Sequence, residues 1–210
     1  MNQAPRAAVI DYGAGNLRSV ERALAAVGFE VRTLSTPAPI AEGELLVLPG
    51  QGRFGQVMRA FKSSGFLETV AEHLGADRPF LGICVGLQLL LEGSEEDPEE
   101  SGLGLVPGQV RRFPSGVSVP QMGWNRFAPF GGGVLLDGLT ERDHVYFANS
   151  YYADVGSWTV TSGARSEYGG VSYLSALSRG NLHATQFHPE KSQAVGLRVL
   201  ANLGRAVARA

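Results

Sequence analysis

The chain has 210 residues, 44% hydrophobic and 18% charged, with a formal net charge of −2. That is enough for one substantial core and too little for two ordinary domains, so residues 1–210 read as a single domain. Acidic and basic residues are interspersed without a basic block, which removes the electrostatic footprint of nucleic-acid binding.

In chain order, Ala7–Ile10 reads as a buried strand, preceded by no signal-peptide apolar region. A Gly-rich loop (Asp11–Asn16) follows. Its Gly13-Ala14-Gly15 begins like a dinucleotide fingerprint, but Arg18 stands where the third glycine belongs, so no nucleotide cofactor is expected. Leu17, Val20, Leu24 and Val27 recur at helical spacing up to Gly28. Leu45–Leu48 is a second buried strand, closed by Pro49-Gly50-Gln51-Gly52. Phe54, Val57, Met58 and Phe61 mark another helix, and His73 falls near the end of a further helical pattern, where a solvated histidine is expected. Phe80–Ile83 is a third strand running directly into a helix over Val85–Leu91. The whole apolar run Phe80–Leu91 is broken by Gly82, Gly86 and Gln88 and is too short to span a bilayer, so no membrane association is expected. Strands without polar alternation, separated by helices, predict a parallel sheet covered on both faces.

Glu95–Glu100 reads as a solvated acidic loop. From about Gly102 to Phe187 the texture turns β-rich, with runs at Val117–Val119, His144–Phe147, Trp158–Ser162, Gly170–Leu174 and His183–Phe187. The tail Ala194–Arg209 is helical. The expected fold is α/β: a three-layer sandwich with a mostly parallel central sheet and a β-rich insertion.

The chemistry concentrates in Phe80–Gln88, which reads strand, Gly-x-Cys-x-Gly, helix: a nucleophile elbow carrying a thiol. Gly82 and Gly86 let sheet and helix approach. The turn lifts Cys84 to the sheet's carboxyl edge at a helix N-terminus, which favours the reactive thiolate. As the only cysteine, Cys84 forms no internal disulfide and builds no cysteine-rich zinc site, which fits a reducing cytoplasm and no metal. Of four histidines, His144 and His183 lie in or beside strand-like runs. His188 ends a strand, and Pro189 then turns the chain to deliver Glu190, a carboxylate able to orient the imidazole. Gly50, Gln51 and Gly52, after the preceding strand, and the N–H of Val85 are the candidate oxyanion donors. All follow strands and converge on one edge of an open sheet.

Together these residues resemble the class I (triad) glutamine amidotransferases. Within that class they are similar to the glutaminase subunits of imidazole glycerol phosphate synthases. The matching segments are Asp11-Tyr12-Gly13-x-Gly15-Asn16-Leu17-Arg18-Ser19-Val20, Leu48-Pro49-Gly50-x-Gly52, Gly82-Ile83-Cys84-x-Gly86-Leu87-Gln88, Met122-Gly123-Trp124-Asn125 and Gln186–Ser192. The resemblance implies a flavodoxin-like core, a Cys84–His188–Glu190 triad and a γ-glutamyl thioester. It also implies a (β/α)8-barrel cyclase partner that receives the ammonia in histidine biosynthesis. It marks Gln88, Glu96 and Ser150 as glutamine contacts, and Trp124 and Lys191 as partner-facing. Gln51 and Arg53 depart from the small or apolar residues of the family's oxyanion loop, and Gln121 and Asn149 from frequent histidines. Glutaminase subunits of other synthases, free-standing cysteine hydrolases and a catalytically silent binding subunit share parts of this pattern. Met122–Asn125 and Lys191-Ser192 favour the first reading over the other synthases.

Overall fold

In the computed structural model, which describes residues 4–13, 15–156 and 160–208, the apolar runs of the first half become the parallel strands β1 (Arg6–Ile10), β3 (Leu45–Gly50) and β4 (Phe80–Cys84). They are joined at one edge by β2 (Glu30–Leu34). Sequence periodicity missed β2 because only its last residue is buried; an edge strand lacks the apolar run that marks a central one. The helices between them are α1 (Leu17–Ala26), α2 (Phe54–Ser63) and α3 (Phe66–Gly75). The path from β1 to β2 runs in the opposite direction along the sheet from that between β3 and β4. Right-handed crossovers therefore put α1 on one face and α2–α3 on the other. The C-terminal helix α5 (Gln193–Val207) packs on α1.

The β-rich region is not a separate layer. Its strands include β5 (Gly93–Ser94), β6 (Gln109–Arg112), β8 (Ala128–Phe130), β10 (Tyr151–Asp154), β11 (Ser162–Tyr168), β12 (Val171–Arg179) and β13 (Leu182–Thr185). These extend the same sheet, in the order β2-β1-β3-β4-β13-β12-β10-β6-β5, with β11 on β12 and β8 on β11. β13 runs parallel to β4, and the turn to antiparallel pairing comes at β12. A separate ribbon pairs β7 (Gln121–Arg126) with β9 (His144–Asn149).

Several expectations are corrected. The helix expected over Val85–Leu91 is a single turn, α4 (Val85–Gln88). Val117–Val119 is irregular, bracketed by Gly116 at φ 89° and by Pro120, which has no N–H for a ladder. Trp158, in the strand expected at Trp158–Ser162, lies outside the described residues, as does Arg209 of the expected tail helix. His73 is buried, not solvated, and its Nε2 lies 2.8 Å from the Pro79 carbonyl. The acidic loop is a clamp, because its carboxylates accept the free N–H groups that begin α2: Glu96 from Phe54 N (2.7 Å) and Asp97 from Gly55 N (3.0 Å). Glu100 pairs with Lys62 of the same helix.

The turn between β4 and α4 depends on close backbone approach. A Cβ on Gly86 would lie 2.1 Å from the Leu48 carbonyl oxygen, and one on Gly82 would lie 2.8 Å from the Gly86 oxygen. Gly86→Ala therefore forces β3 and α4 apart and is expected to destabilise the fold by about 1–3 kcal/mol. Gly75→Ala, in open space at the end of α3, is neutral or stabilising by a few tenths to ~1 kcal/mol. Urea unfolding of both variants checks this; equal stabilities would remove the close-approach argument.

Candidate active site

Cys84 occupies the turn at φ 56°, ψ −107°, a conformation a non-glycine residue adopts only where the surrounding structure enforces it. Its thiol is free and buried. The parallel register of β4 and β13 pairs Ile83 with Thr185, so the chain just past Thr185 runs alongside Cys84. It carries His188, whose extended backbone (φ −95°, ψ 98°) suits a residue before proline. Pro189–Lys191 form one 3-10 turn, and His188 Nδ1 lies 2.8 Å from Glu190 Oε1. The Glu190 side chain is buried behind the ring, and its Oε2 has no protein partner.

Burial alone would push the His188 pKa down. The Cys84 charge and hydrogen bond, followed by the hydrogen bond and charge of Glu190, outweigh it and raise the value to about 10. An imidazolium at His188, held between the Cys84 sulphur and Glu190, is thus the arrangement the site favours. The single turn of α4 gives less dipole support to the sulphur than the long helix expected from sequence; the imidazolium supplies the compensating charge. His183 differs: buried against Ser178, it is pushed down to about 4 by desolvation and stays neutral. His144 is exposed on β9.

A cavity of about 170 Å³ opens over Cys84. Among its lining residues are Gln51, Gly52, Val85, Gln88, Glu96, Ser150, His188 and Lys191. Nearly all the sequence-predicted site residues therefore meet at one place. Gly50 packs beneath, where a Cβ would lie 2.7 Å from Val85 Cβ. Trp124 is elsewhere, 47% exposed on β7, edge-on to Tyr146. Gln88 is buried and donates to Tyr151 O (3.1 Å) and to Gln186 Oε1 (3.2 Å), leaving its own carbonyl oxygen to accept. Arg53 is tied to Asp97 at 3.1 Å, which anchors the loop start to the acidic clamp. Gln121 and Asn149 are both buried and directly opposed in the β7–β9 ribbon. Asn149 lines the cavity; Gln121 accepts from Tyr173 (2.8 Å).

Three supporting residues escaped the sequence reading. Tyr12 donates to Pro49 O at 2.6 Å, pinning the strand end before Gly50. Ser192 holds the histidine segment by donating to His188 O (2.7 Å) and accepting from Tyr146 N (2.9 Å). Gln186 donates to the Cys84 sulphur at 3.6 Å. Each lies inside a quoted motif, but nothing in spacing marks a hydroxyl or amide as facing inward. Among the described residues no cluster of histidine, cysteine and carboxylate side chains is arranged to hold a metal ion, and no helix is long and apolar enough to cross a membrane.

The family model described as glutamine amidotransferase class-I matches residues 8–204. The imidazole glycerol phosphate synthase subunit HisH of Thermus thermophilus is 57% identical over 196 residues, covering 93% of this chain and 95% of its own. The Deinococcus radiodurans protein of the same description is 52% identical over 209 residues, covering 99% and 96%. Among solved structures, a chain of PurLQS from Thermotoga maritima superposes with a TM-score of 0.74 at 17% identity, covering 99% of both chains, a likeness of fold.

The His188 environment makes a prediction with a definite sign. Because its pKa is raised, the imidazolium's contribution to stability is fully present below the ordinary histidine value and is lost as pH rises through about 10. NMR titration should find His188 protonated across the neutral range, with its pKa falling in Cys84→Ala, which removes the sulphur charge and leaves burial in place. Titration of wild-type His188 near the ordinary histidine value would contradict the paired state.

Proposed function

The chain belongs to the class-I glutamine amidotransferase family, and from that membership we propose that it is the glutaminase subunit of an imidazole glycerol phosphate synthase in histidine biosynthesis. Its single domain, residues 1–210, hydrolyses glutamine to glutamate and ammonia. The observation that carries this reading is the buried Cys84–His188–Glu190 array, with Cys84 and His188 lining the cavity and Glu190 behind the ring, in a chain 57% identical to a HisH subunit.

In the proposed reaction, the Cys84 thiolate attacks the side-chain amide carbon of glutamine. The negative charge that develops on the carbonyl oxygen is received by backbone N–H groups of the Gly50-Gln51-Gly52 loop and of Val85. The His188 imidazolium gives its proton to the departing nitrogen, which leaves as ammonia, and a γ-glutamyl thioester remains on Cys84. Neutral His188 then takes a proton from water, whose oxygen adds to the thioester carbon. Collapse releases glutamate and restores the thiolate and imidazolium. Glu190 fixes the tautomer and steadies the imidazolium throughout. The free oxygen of Gln88, together with Glu96 and Ser150, holds the glutamine.

The ammonia is passed to a separate (β/α)8-barrel cyclase subunit, and the exposed Trp124 on β7 and Lys191 at the cavity rim face that partner. The free thiol fits a reducing cytoplasm. No cofactor enters the scheme.

In the reconstituted complex, Cys84→Ala is expected to lower glutamine-dependent product formation at least ~1,000-fold, as loss of a covalent nucleophile does, while synthesis from added ammonium salt persists. Rates with the two nitrogen sources, on a complex verified by gel filtration, check this. Equal loss of both would contradict the division of labour.

A further inference from the structure

Two buried side-chain amides stand between the Cys84 sulphur and the backbone of β10, and their orientations are fixed from one end. The Tyr151 carbonyl can only accept, and it receives Gln88 Nε2 at 3.1 Å and Asn149 Nδ2 at 2.9 Å. Gln88 therefore presents an N–H group to its other neighbour, 3.2 Å away, and that neighbour must be the Gln186 oxygen. It follows that the Gln186 N–H group is the one turned to Cys84, 3.6 Å from the sulphur, an ordinary length for N–H···S. Reversing the Gln186 amide would oppose two donors at Gln88 and set a carbonyl oxygen against the thiolate. Gln186 is fully buried, so water does not satisfy this donor in place of the sulphur.

We propose that Gln186 is a hydrogen-bond donor to the reacting sulphur, held in the donating orientation by Gln88 and the Tyr151 carbonyl; this rests on Cys84 being the nucleophile. A donor aimed at sulphur stabilises the thiolate and not the thioether-like sulphur of a thioester. Its bond therefore weakens as the thioester forms and recovers as the thioester is cleaved and negative charge returns to sulphur. The same amide chain links Gln186 to Gln88, which lines the cavity and keeps its carbonyl oxygen free to accept. Glutamine binding and the donor to sulphur thus share one hydrogen-bonded unit. The charged and titratable groups facing Cys84 are His188, after β13; Tyr12, after β1; and Glu96 and Lys191, on the cavity wall. All remain in place when Gln186 alone is changed.

The test is iodoacetamide alkylation of Cys84 in the isolated full chain, followed from mildly acidic to strongly basic pH. Gln186→Leu should shift the rise of the alkylation rate to higher pH by about one unit, a tenfold change in the ionisation equilibrium equivalent to about 1.4 kcal/mol and near the lower end for a hydrogen bond to a charged group. Above the rise, where the thiol ionises without help, the rate should equal that of wild type. Gln186→Glu keeps the side-chain volume and places a carboxylate at the sulphur, so it should shift the rise further; it also serves if the leucine variant does not fold. A rise at the wild-type pH in both variants would overturn the proposal. So would slowing by the same factor at every pH, which is the mark of altered access. A wild-type thiol that reacts no faster than free cysteine would instead overturn the reading of Cys84 as a poised nucleophile.

Discussion

The parallel pairing of β4 with β13 brings together groups that the sequence separates by about a hundred residues. Ile83 opposes Thr185, and the chain just beyond that pair supplies the sulphur on one side and the Gln186 amide, 102 positions later, on the other. His188 and Glu190 follow on the same segment. Because side chains alternate across a strand, a one-residue slip in this register would turn Gln186 away from the sulphur and carry the histidine out of reach. Both strands are buried along their whole length, as a sheet covered on both faces requires.

Holding a charged pair in this interior has costs that the surroundings offset. Each desolvated ion costs several kcal/mol before pairing, and a non-glycine residue at positive φ costs roughly 1–3 kcal/mol more. The Cys84 sulphur is met by the His188 imidazolium and the Gln186 amide, and the imidazolium by Glu190. The strained turn is locked by the approach of α4 to β3 and β4 at Gly82 and Gly86. Strain and burial thus coincide at Cys84, on the floor of the cavity.

The parallel half of the fold was legible because buried strands read as unbroken apolar runs: β1, β3 and β4 fall where Ala7–Ile10, Leu45–Leu48 and Phe80–Ile83 predict. The elbow was legible because only glycine fits at Gly82 and Gly86. What escaped depended on tertiary contact. β2 is exposed and carries no apolar signal. α4 stops after one turn although Leu89, Leu90 and Leu91 continue its apolar pattern, since the chain there turns into the core. Glu96 and Asp97 look solvated in sequence, and only the fold shows α2 beginning beside them. Gln186 and Ser192 are polar residues whose inward orientation no local pattern encodes.

The covalent intermediate is the claim on which the chemistry rests. Turnover of glutamine by the assembled complex can be quenched in acid, digested and examined by mass spectrometry. The account predicts a γ-glutamyl group on the peptide containing Cys84, accumulating to a steady level during turnover and disappearing as glutamine is exhausted. Sustained ammonia release with no γ-glutamyl adduct on Cys84, or an adduct on another residue, would contradict it.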